Sequence, residues 1–270
     1  MAINEVFPNP TVKQVVFQVR FPNLFYLEAR MGEFQIKVMR DFPRSGMALQ
    51  RQFLIAQGIQ VPRSSPQKPL QQFFLSPMAQ EASSPQDLPQ DVTKMWTFES
   101  ENGVKLQVQT DSMSLQSTLH KTYNKSSEEH KFRDSIEKAL NALKAVAPVP
   151  LFLRVGLRYV DDCPVPALNN EAYSQYYNTM LALDRFNLAD AEELTHMAVM
   201  RRGNRHIRIC EALRVVDGKP VLTLDCDAYA INVESGNCLG VTDGLHDLVA
   251  DEYEKTLKKP VFEHMRHPQS

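Results

Sequence analysis

The chain has 270 residues, of which 43% are hydrophobic and 23% are charged, a composition typical of a globular protein with a sizeable core. Its formal net charge of -2 excludes binding to nucleic acid or to an anionic membrane through overall charge alone. The first residues lack the basic region and apolar run of a secretory signal, and no apolar stretch is long enough to cross a membrane. We therefore expect a cytoplasmic protein whose four cysteines, none of them in a Cys-x-x-Cys pair, are reduced thiols.

The first half of the chain alternates between strand and helix patterns. Apolar side chains recur at every second residue in the strand segments and at every third or fourth residue in the helical segments. Asn102-Gly103 is a preferred hairpin turn, because both positions tolerate a positive φ. We predict a strand, a helix, a three-stranded meander and a second helix with an N-terminal serine cap. These elements are expected over residues 11–21, 24–42, 93–123 and 126–148, in that order.

Residues 57–91 interrupt this order with six prolines and many glutamines and serines. Because proline lacks the backbone N–H that helices and sheets require, we expect an extended, partly mobile loop here. Phe73 and Phe74 are too apolar for a solvated linker. Two interpretations of them stay open: a short strand that docks on the body of the protein, and a linear motif that docks on a partner.

The second half of the chain repeats the order of the first. Its first strand contains Asp161, Asp162 and two prolines, which we interpret as the exit of the strand. A helix, three strands with two tight glycine turns and a last helix follow, with Asp243 as the expected N-cap of the last helix and Pro260 ending or kinking it. These elements are expected over residues 151–166, 170–186, 193–232 and 243–257.

The repeated order of elements predicts the fold class. We expect an α+β protein built from two pseudo-repeated halves, each an antiparallel sheet covered by a long helix. The N-terminal half spans residues 1–148 and contains the Pro-rich loop, and the C-terminal half spans residues 149–270. The pattern leaves open whether the two sheets join into one.

Four segments of the chain carry a family resemblance: "NPTVKQVVFQVRF", "LRVGLRYVDD", "VLTLDCDAYA" and "LHDLVADEYEKTLKKPVFEHMR". In this order they resemble a family of prokaryotic proteins of similar length, sporadically distributed among bacteria and without an assigned activity. The resemblance covers nearly the whole chain outside residues 57–91 and supplies no catalytic residues. Sporadic distribution implies horizontal transfer, which is common for defence, toxin–antitoxin and other accessory loci.

Arg154 and Arg158 share one face of the predicted central strand, with Gly156 between them. In the first interpretation both guanidinium groups pair with carboxylates of a neighbouring element. In the second they form an anion site in the cleft between the two halves, where Gly156 would let a ligand approach closely. Both interpretations stay open.

The densest basic cluster of the chain lies in the hairpin segment "MRRGNRHIRIC". A basic hairpin tip can contact phosphates or an acidic partner, although no aromatic residue interleaves this cluster to stack on bases. It can equally be a solvated tip that protects an edge strand from aggregation. Its members are Arg201, Arg202, Arg205, His206 and Arg208.

Asp225 and Asp227 lie on one face of a predicted strand, which is compatible with a divalent cation. A metal site would need a third ligand, which His246 or Asp247 could supply only if the last helix crossed that face. In the other interpretation the two carboxylates point to solvent or to the arginines of the central strand.

The sequence contains no G-x-S-x-G nucleophile elbow, no glycine-rich phosphate loop and no H-E-x-x-H motif. We therefore expect a non-enzymatic binding or adaptor protein without a cofactor that binds a protein partner. The family resemblance implies in addition that it belongs to a bacterial accessory locus, of the defence or toxin–antitoxin kind. Self-association is also compatible with the sequence. Two alternatives remain: a nucleic-acid-binding component that acts through the basic 200–208 hairpin, and a metal-dependent hydrolase that uses Asp225 and Asp227.

Overall fold

A computed structural model describes residues 5–51, 92–119, 122–124, 131–216 and 218–267. The strands in these ranges are β1 (Val12–Arg20), β2 (Arg44–Arg51), β3 (Val92–Glu99), β4 (Lys105–Val108), β5 (Ser112–Ser117), β6 (Leu151–Pro164), β7 (Glu193–Arg202), β8 (Arg205–Val216) and β9 (Lys219–Glu234). The α-helices are α1 (Met31–Val38), α2 (Phe132–Val146), α3 (Asn170–Tyr176), α4 (Cys238–Thr256) and α5 (Lys259–Arg266). None of these helices combines the length and apolar composition that a membrane crossing requires.

The nine strands form one antiparallel sheet in the order β2-β3-β4-β5-β1-β6-β9-β8-β7. The predicted α+β class is therefore confirmed. The sheet is continuous across the two halves of the chain because β1 pairs with β6, from Val12 opposite Asp161 to Arg20 opposite Arg154. The first strand of the chain thus lies in the middle of the sheet.

The two faces of the sheet differ because side chains alternate along each strand. Along β9, Leu222 and Leu224 belong to the hydrophobic cluster that contains α3 and α5. Cys226 and Ala228 belong to the cluster that contains α1, α2 and α4. These four β9 residues share one face, so all the described helices pack on that face. We name it the helix-covered face and the opposite one the open face.

The two longest helices cover different parts of the sheet. Helix α4 packs on β6, β8 and β9, with Leu245 and Val249 buried. Helix α2 packs against α1 and β5, with Ile136 and Leu143 fully buried. Burying a side chain of this size contributes about 2 kcal/mol, so these contacts fix the helices on the sheet.

The predicted three-stranded meander is confirmed, because β3, β4 and β5 pair in sequence. The predicted turn between β3 and β4 is wrong in detail, because Gly103 has a positive φ of 73° but Asn102 does not, and the loop is longer than two residues since Glu99 pairs with Lys105. Strand β2 has no counterpart among the predicted elements. It is an edge strand whose Met47 and Leu49 are exposed, so its residues need no buried apolar pattern.

One predicted boundary in the second half is confirmed and another is wrong. Strand β6 ends at Pro164, within the predicted exit, and it pairs with β9 along its whole length. The helix predicted over residues 170–186 ends at Tyr176. Beyond it the backbone becomes extended and Tyr177 bridges Leu257.

The last predicted helix begins earlier than expected, and a further helix that was not predicted follows it. Helix α4 begins at Cys238, so Asp243 lies inside it and is not its N-cap. Pro260 neither ends nor kinks α4, which ends at Thr256. It lies instead in the first turn of α5, where the missing N–H of proline has no hydrogen-bond partner to lose.

Some predictions lie outside the described residues. They concern the Pro-rich loop over residues 57–91 and the docking role of Phe73 and Phe74. The serine cap predicted for α2 is wrong, because the helix begins at Phe132 and its N-cap is Lys131, which makes no side-chain cap hydrogen bond.

The four cysteines all lie within the described ranges and are free thiols. Cys226 is buried in the core, and burial raises the pKa of its thiol, so this cysteine has the character of an inert core residue.

Candidate functional site

A cleft of about 490 Å³ lies on the helix-covered face, where β1 meets β6. Its walls come from both halves of the chain, with residues of β1, of β6, of the approach to α2 and of α4. This volume is within the range of about 300 to 1,000 Å³ that small ligands occupy. The polar side chains that define its chemistry are Thr11, Tyr123, Asp161, Asp243, His246 and Tyr253.

Asp161 is the deepest acid of the cleft, with 6% of its surface exposed. Thr11 Oγ1 donates a hydrogen bond to Asp161 Oδ1 at 2.9 Å. The same Thr11 oxygen is hydrogen-bonded to the Tyr253 hydroxyl, which is the donor because the single Thr11 proton goes to Asp161. Burial raises the pKa of Asp161 to about 7, although the Thr11 hydrogen bond acts in the opposite direction. Near neutral pH the carboxyl group is therefore divided between its acid and carboxylate forms.

His246 forms an aromatic wall of the cleft. Its ring stacks on Tyr123 with 4.2 Å between centroids and meets Tyr159 edge-on at 6.1 Å. Burial lowers the pKa of His246, against the opposing effect of the Asp247 carboxylate 3.6 Å away. The imidazole is therefore neutral at pH 7 and adds no positive charge to the cleft.

Asp243 links the two long helices at the side of the cleft. Arg133 on α2 donates from Nε and Nη2 to the two Asp243 carboxylate oxygens, at 2.8 and 2.9 Å. The Tyr123 hydroxyl donates to Asp243 Oδ1 at 2.8 Å. Partial burial acts to raise the pKa of Asp243, but these hydrogen bonds prevail and lower it. Asp243 is therefore ionised and acts as a brace between α2 and α4.

The cleft carries acidic and hydrogen-bonding groups with little basic character. Among the described residues that line it there is no lysine and no arginine. Arg133 is near the cleft, but its guanidinium is engaged by Asp243. A surface of this kind attracts ammonium and guanidinium groups and repels phosphates and carboxylates.

The open face holds the two acids that the sequence singled out. Arg158 donates from Nε and Nη2 to the two oxygens of Asp225, at 2.6 and 2.8 Å. Arg208 donates to the same carboxylate at 3.2 Å. Arg154 Nη2 contacts both oxygens of Asp227, at 2.8 and 2.9 Å. The interpretation that Asp225 and Asp227 pair with the arginines of the central strand therefore describes the structure.

Arg154 and Arg158 do not line the cleft. Side chains alternate along β6, which places Tyr159 and Asp161 in the cleft and Arg158 on the open face. The structure therefore does not bring these arginines to the predicted anion site between the halves. The space at Gly156 is used by the protein itself, since a Cβ there would lie 2.3 Å from Arg154 Nη1.

Two of the five basic hairpin residues point to the helix-covered face. Arg202 contacts Glu252 of α4 at 3.3 Å. Arg205 Nη1 donates to the carbonyl oxygen of Gly244 at 2.7 Å, which fixes the hairpin on α4. Both guanidinium groups are thus engaged within the protein.

The other three basic hairpin residues lie on the open-face side. His206 stacks on Tyr229 with 5.0 Å between ring centroids, and Arg208 pairs with Asp225. Arg201 is exposed and bonds the carbonyl of its own turn. The cluster that is dense in sequence is therefore divided between the two faces of the sheet, and the structure does not gather it into one basic surface.

Among the residues that the structure describes, none is brought to Asp225 and Asp227 as the third ligand of a metal site. His246 and Asp247 are on α4, which packs on the helix-covered face, whereas the two acids lie on the open face. Within the described ranges, no group of three or more His, Cys, Asp or Glu side chains is placed to hold a metal ion.

The sequence analysis did not identify Thr11, Asp161 and Tyr253 as site residues. A signal for Asp161 was present in the pair Asp161–Asp162. In a strand that continues past this pair, one of two consecutive acids must face the core. No local pattern could indicate that Thr11 and Tyr253 lie beside it, because they are distant in the chain.

Comparisons of this chain with protein-family models, with curated proteins and with solved structures gave no match. The resemblance to a sporadic prokaryotic family stays a prediction. The function must therefore be argued from the cleft and from the two faces of the sheet.

Proposed function

We propose that this chain is a non-enzymatic binding protein whose central cleft receives a basic segment of a protein partner. The observation that carries the proposal is a cleft with several carboxyl groups and aromatic walls, and with no lysine or arginine among its described lining residues. A lysine or arginine side chain would pass Asp247 and reach Asp161, lying against the ring of Tyr123 on the way. An anionic partner would meet like charges instead.

The depth of the acids supports insertion of a cation from solvent. The Asp247 side chain is largely exposed, whereas Asp161 is buried. An acid buried without a cation partner is costly in its ionised form, which is why its pKa is raised. A bound ammonium group would favour the ionised form of Asp161, so binding would release a proton below about pH 7. Affinity should therefore increase as the pH rises through this range.

The proposal extends to the source of the partner. Following the family resemblance, we expect the partner to be encoded beside this chain in a bacterial accessory locus.

We also propose that the halves are structural repeats. The sheet order supports this, since it runs outward from its centre as β1-β5-β4-β3 on one side, with β2 beyond it at the edge, and as β6-β9-β8-β7 on the other. Superposition should then place α2 on α4, with the cleft between the repeats.

The test is calorimetric titration with a blocked pentapeptide that has a central lysine, and with the same peptide carrying glutamate. We expect the wild-type protein to bind the lysine peptide and not the glutamate peptide. The affinity should rise from about pH 6 to about pH 8. Asp161→Asn should weaken binding about tenfold, which corresponds to 1.4 kcal/mol, and should remove the pH dependence.

The matched control is Asp162→Asn. Asp162 is the next residue of β6, but it accepts a hydrogen bond from Thr223 at 3.2 Å on the open face. This variant should bind the lysine peptide as the wild type does. Equal binding of both peptides, or an equal loss in both variants, would contradict the proposal. Affinity capture from the native host, with wild-type and Asp161→Asn protein side by side, would then identify a partner that depends on the cleft.

A further inference from the structure

Strand β7 forms one edge of the sheet and has no partner strand on its outer side among the described residues. It is 10 residues long and contains no proline or glycine. Met197 and Val199 in its middle are 59% and 58% exposed. A long edge strand with an uncharged, partly apolar centre is a template on which another strand can pair.

The charges of β7 are complementary to those of a second, antiparallel copy of β7. The strand begins with Glu193 and ends with Arg201 and Arg202. In an antiparallel pair of two copies, Glu193 of each copy lies opposite the arginines of the other, so opposite charges meet at both ends. The other edge strand, β2, begins and ends with arginine in sequence, and self-pairing there would bring like charges together.

We propose that two copies of this chain associate through β7, in antiparallel and two-fold symmetric fashion, to form one continuous sheet. The contact occupies the β7 edge of both copies, so assembly stops at the dimer. The charged ends are available for this contact, because Arg201 is exposed and the exposed Glu193 meets Arg214 only at 3.9 Å. This inference does not depend on the function proposed for the cleft.

The first test is the mass in solution, measured by sedimentation from about 1 to about 100 µM, where interfaces of moderate size form. We expect a species of twice the 30.8 kDa chain mass. Met197→Lys places two lysines near the two-fold axis and should return the protein to the single-chain mass. The matched control is Ile231→Lys, at a 53% exposed residue of the interior strand β9, which should stay a dimer.

The second test separates charge complementarity from misfolding. Glu193→Arg makes both ends of β7 basic, and the double variant Arg201→Glu, Arg202→Glu makes both ends acidic. Each variant alone should dimerise at least about tenfold more weakly, and an equal mixture should regain the dimer. A wild-type protein of single-chain mass throughout, a dimer insensitive to Met197→Lys, a mixture that fails to associate, or assembly beyond the dimer would overturn the proposal.

Discussion

Asp161 and Asp225 are close together in the sheet, yet their surroundings are opposite. Val160 pairs with Asp225, and the next residue of β6, Asp161, pairs with Leu224. Asp225 lies on the open face, where Arg158 and Arg208 hold its two oxygens. Asp161 lies under the helices, where Thr11 donates to it and Tyr253 donates to Thr11. The two acids are thus on neighbouring strands, offset by one residue. Two arginines bind the carboxylate of Asp225, whereas a hydroxyl group donates to the carboxyl group of Asp161.

This difference shows how the same residue type is held by ion pairs on one face and has its pKa raised by burial on the other. The arginines neutralise the Asp225 charge, so that carboxylate links β6, β8 and β9. The raised pKa of Asp161 near 7 makes its charge responsive to a ligand and to pH. The comparison makes four predictions, from the largest expected effect to the smallest.

The largest effect concerns Asp161→Asn and the pH dependence of stability. The pKa of Asp161 is about 7 in the folded protein and near the usual value of 3.8 in the unfolded chain. As the pH rises, the unfolded chain loses this proton first, so the wild type becomes less stable. Between about pH 5 and about pH 8 it should lose about 3 kcal/mol relative to Asp161→Asn. Urea unfolding at both pH values measures the difference.

The control for this prediction is again Asp162→Asn, which removes the neighbouring acid on the open face. The stability of this variant should depend on pH nearly as that of the wild type does, because the Asp162 charge contributes less to the raised pKa of Asp161 than burial does. If Asp161→Asn shows the same pH dependence as the wild type, Asp161 is ionised in the folded protein and the contrast with Asp225 fails.

The second effect is the loss of an arginine on the open face. Arg158→Ala removes the two hydrogen bonds to Asp225, whose side chain is 14% exposed. The remaining bond from Arg208 compensates in part, so we expect a destabilisation of about 2 kcal/mol. Arg201→Ala, at an exposed position on the same side of the sheet, should change stability by less than about 0.5 kcal/mol. Equal effects of the two substitutions in urea unfolding would show that the open-face network contributes nothing.

The third effect concerns the hydroxyl that holds Asp161. Thr11→Val keeps the shape of the side chain but removes the donor to Asp161, which should cost about 1 kcal/mol. Because the Thr11 hydrogen bond lowers the pKa of Asp161, its loss should raise that pKa further. An NMR titration of the carboxyl carbons would measure the shift. Thr223→Val, which removes a donor to Asp162 on the open face, should leave the pKa of Asp161 unchanged.

The smallest effect comes from an ion pair that is exposed. Lys94 contacts Glu28 at 2.6 Å, but both side chains are well exposed to solvent. Lys94→Ala should change the free energy of unfolding by less than about 0.5 kcal/mol, and less still at high salt. A larger loss would mean that distance alone, and not burial, determines the strength of the Arg158–Asp225 pair.

The parts of the fold that depend on local patterns were predictable. The alternation of Val15, Phe17 and Val19 predicts β1, and the spacing of Ile136 and Leu143 predicts α2. Strand β2 could not be predicted in this way, because an exposed edge strand needs no buried face. The boundaries of α4 also follow from tertiary contacts and not from a capping residue.

The candidate site was less predictable, because it depends on pairing between distant segments. The acids at Asp225 and Asp227 were evident in the sequence, but their arginine partners follow from the register of β6 against β9. The cleft requires β1 to meet β6 and α4 to cross above them, which brings Thr11, Asp161 and Tyr253 together. Sequence separations of this size leave no local signal.

The central place of β1 has a consequence for synthesis on the ribosome. The neighbours of this strand, β5 and β6, are made about 100 and 140 residues later. The first described strand to emerge, which is rich in valine, must therefore keep at least one edge unpaired until more than half of the chain has left the exit tunnel. We expect nascent chains stalled before β6 to need chaperone protection of this segment, and chains stalled after β6 to need much less.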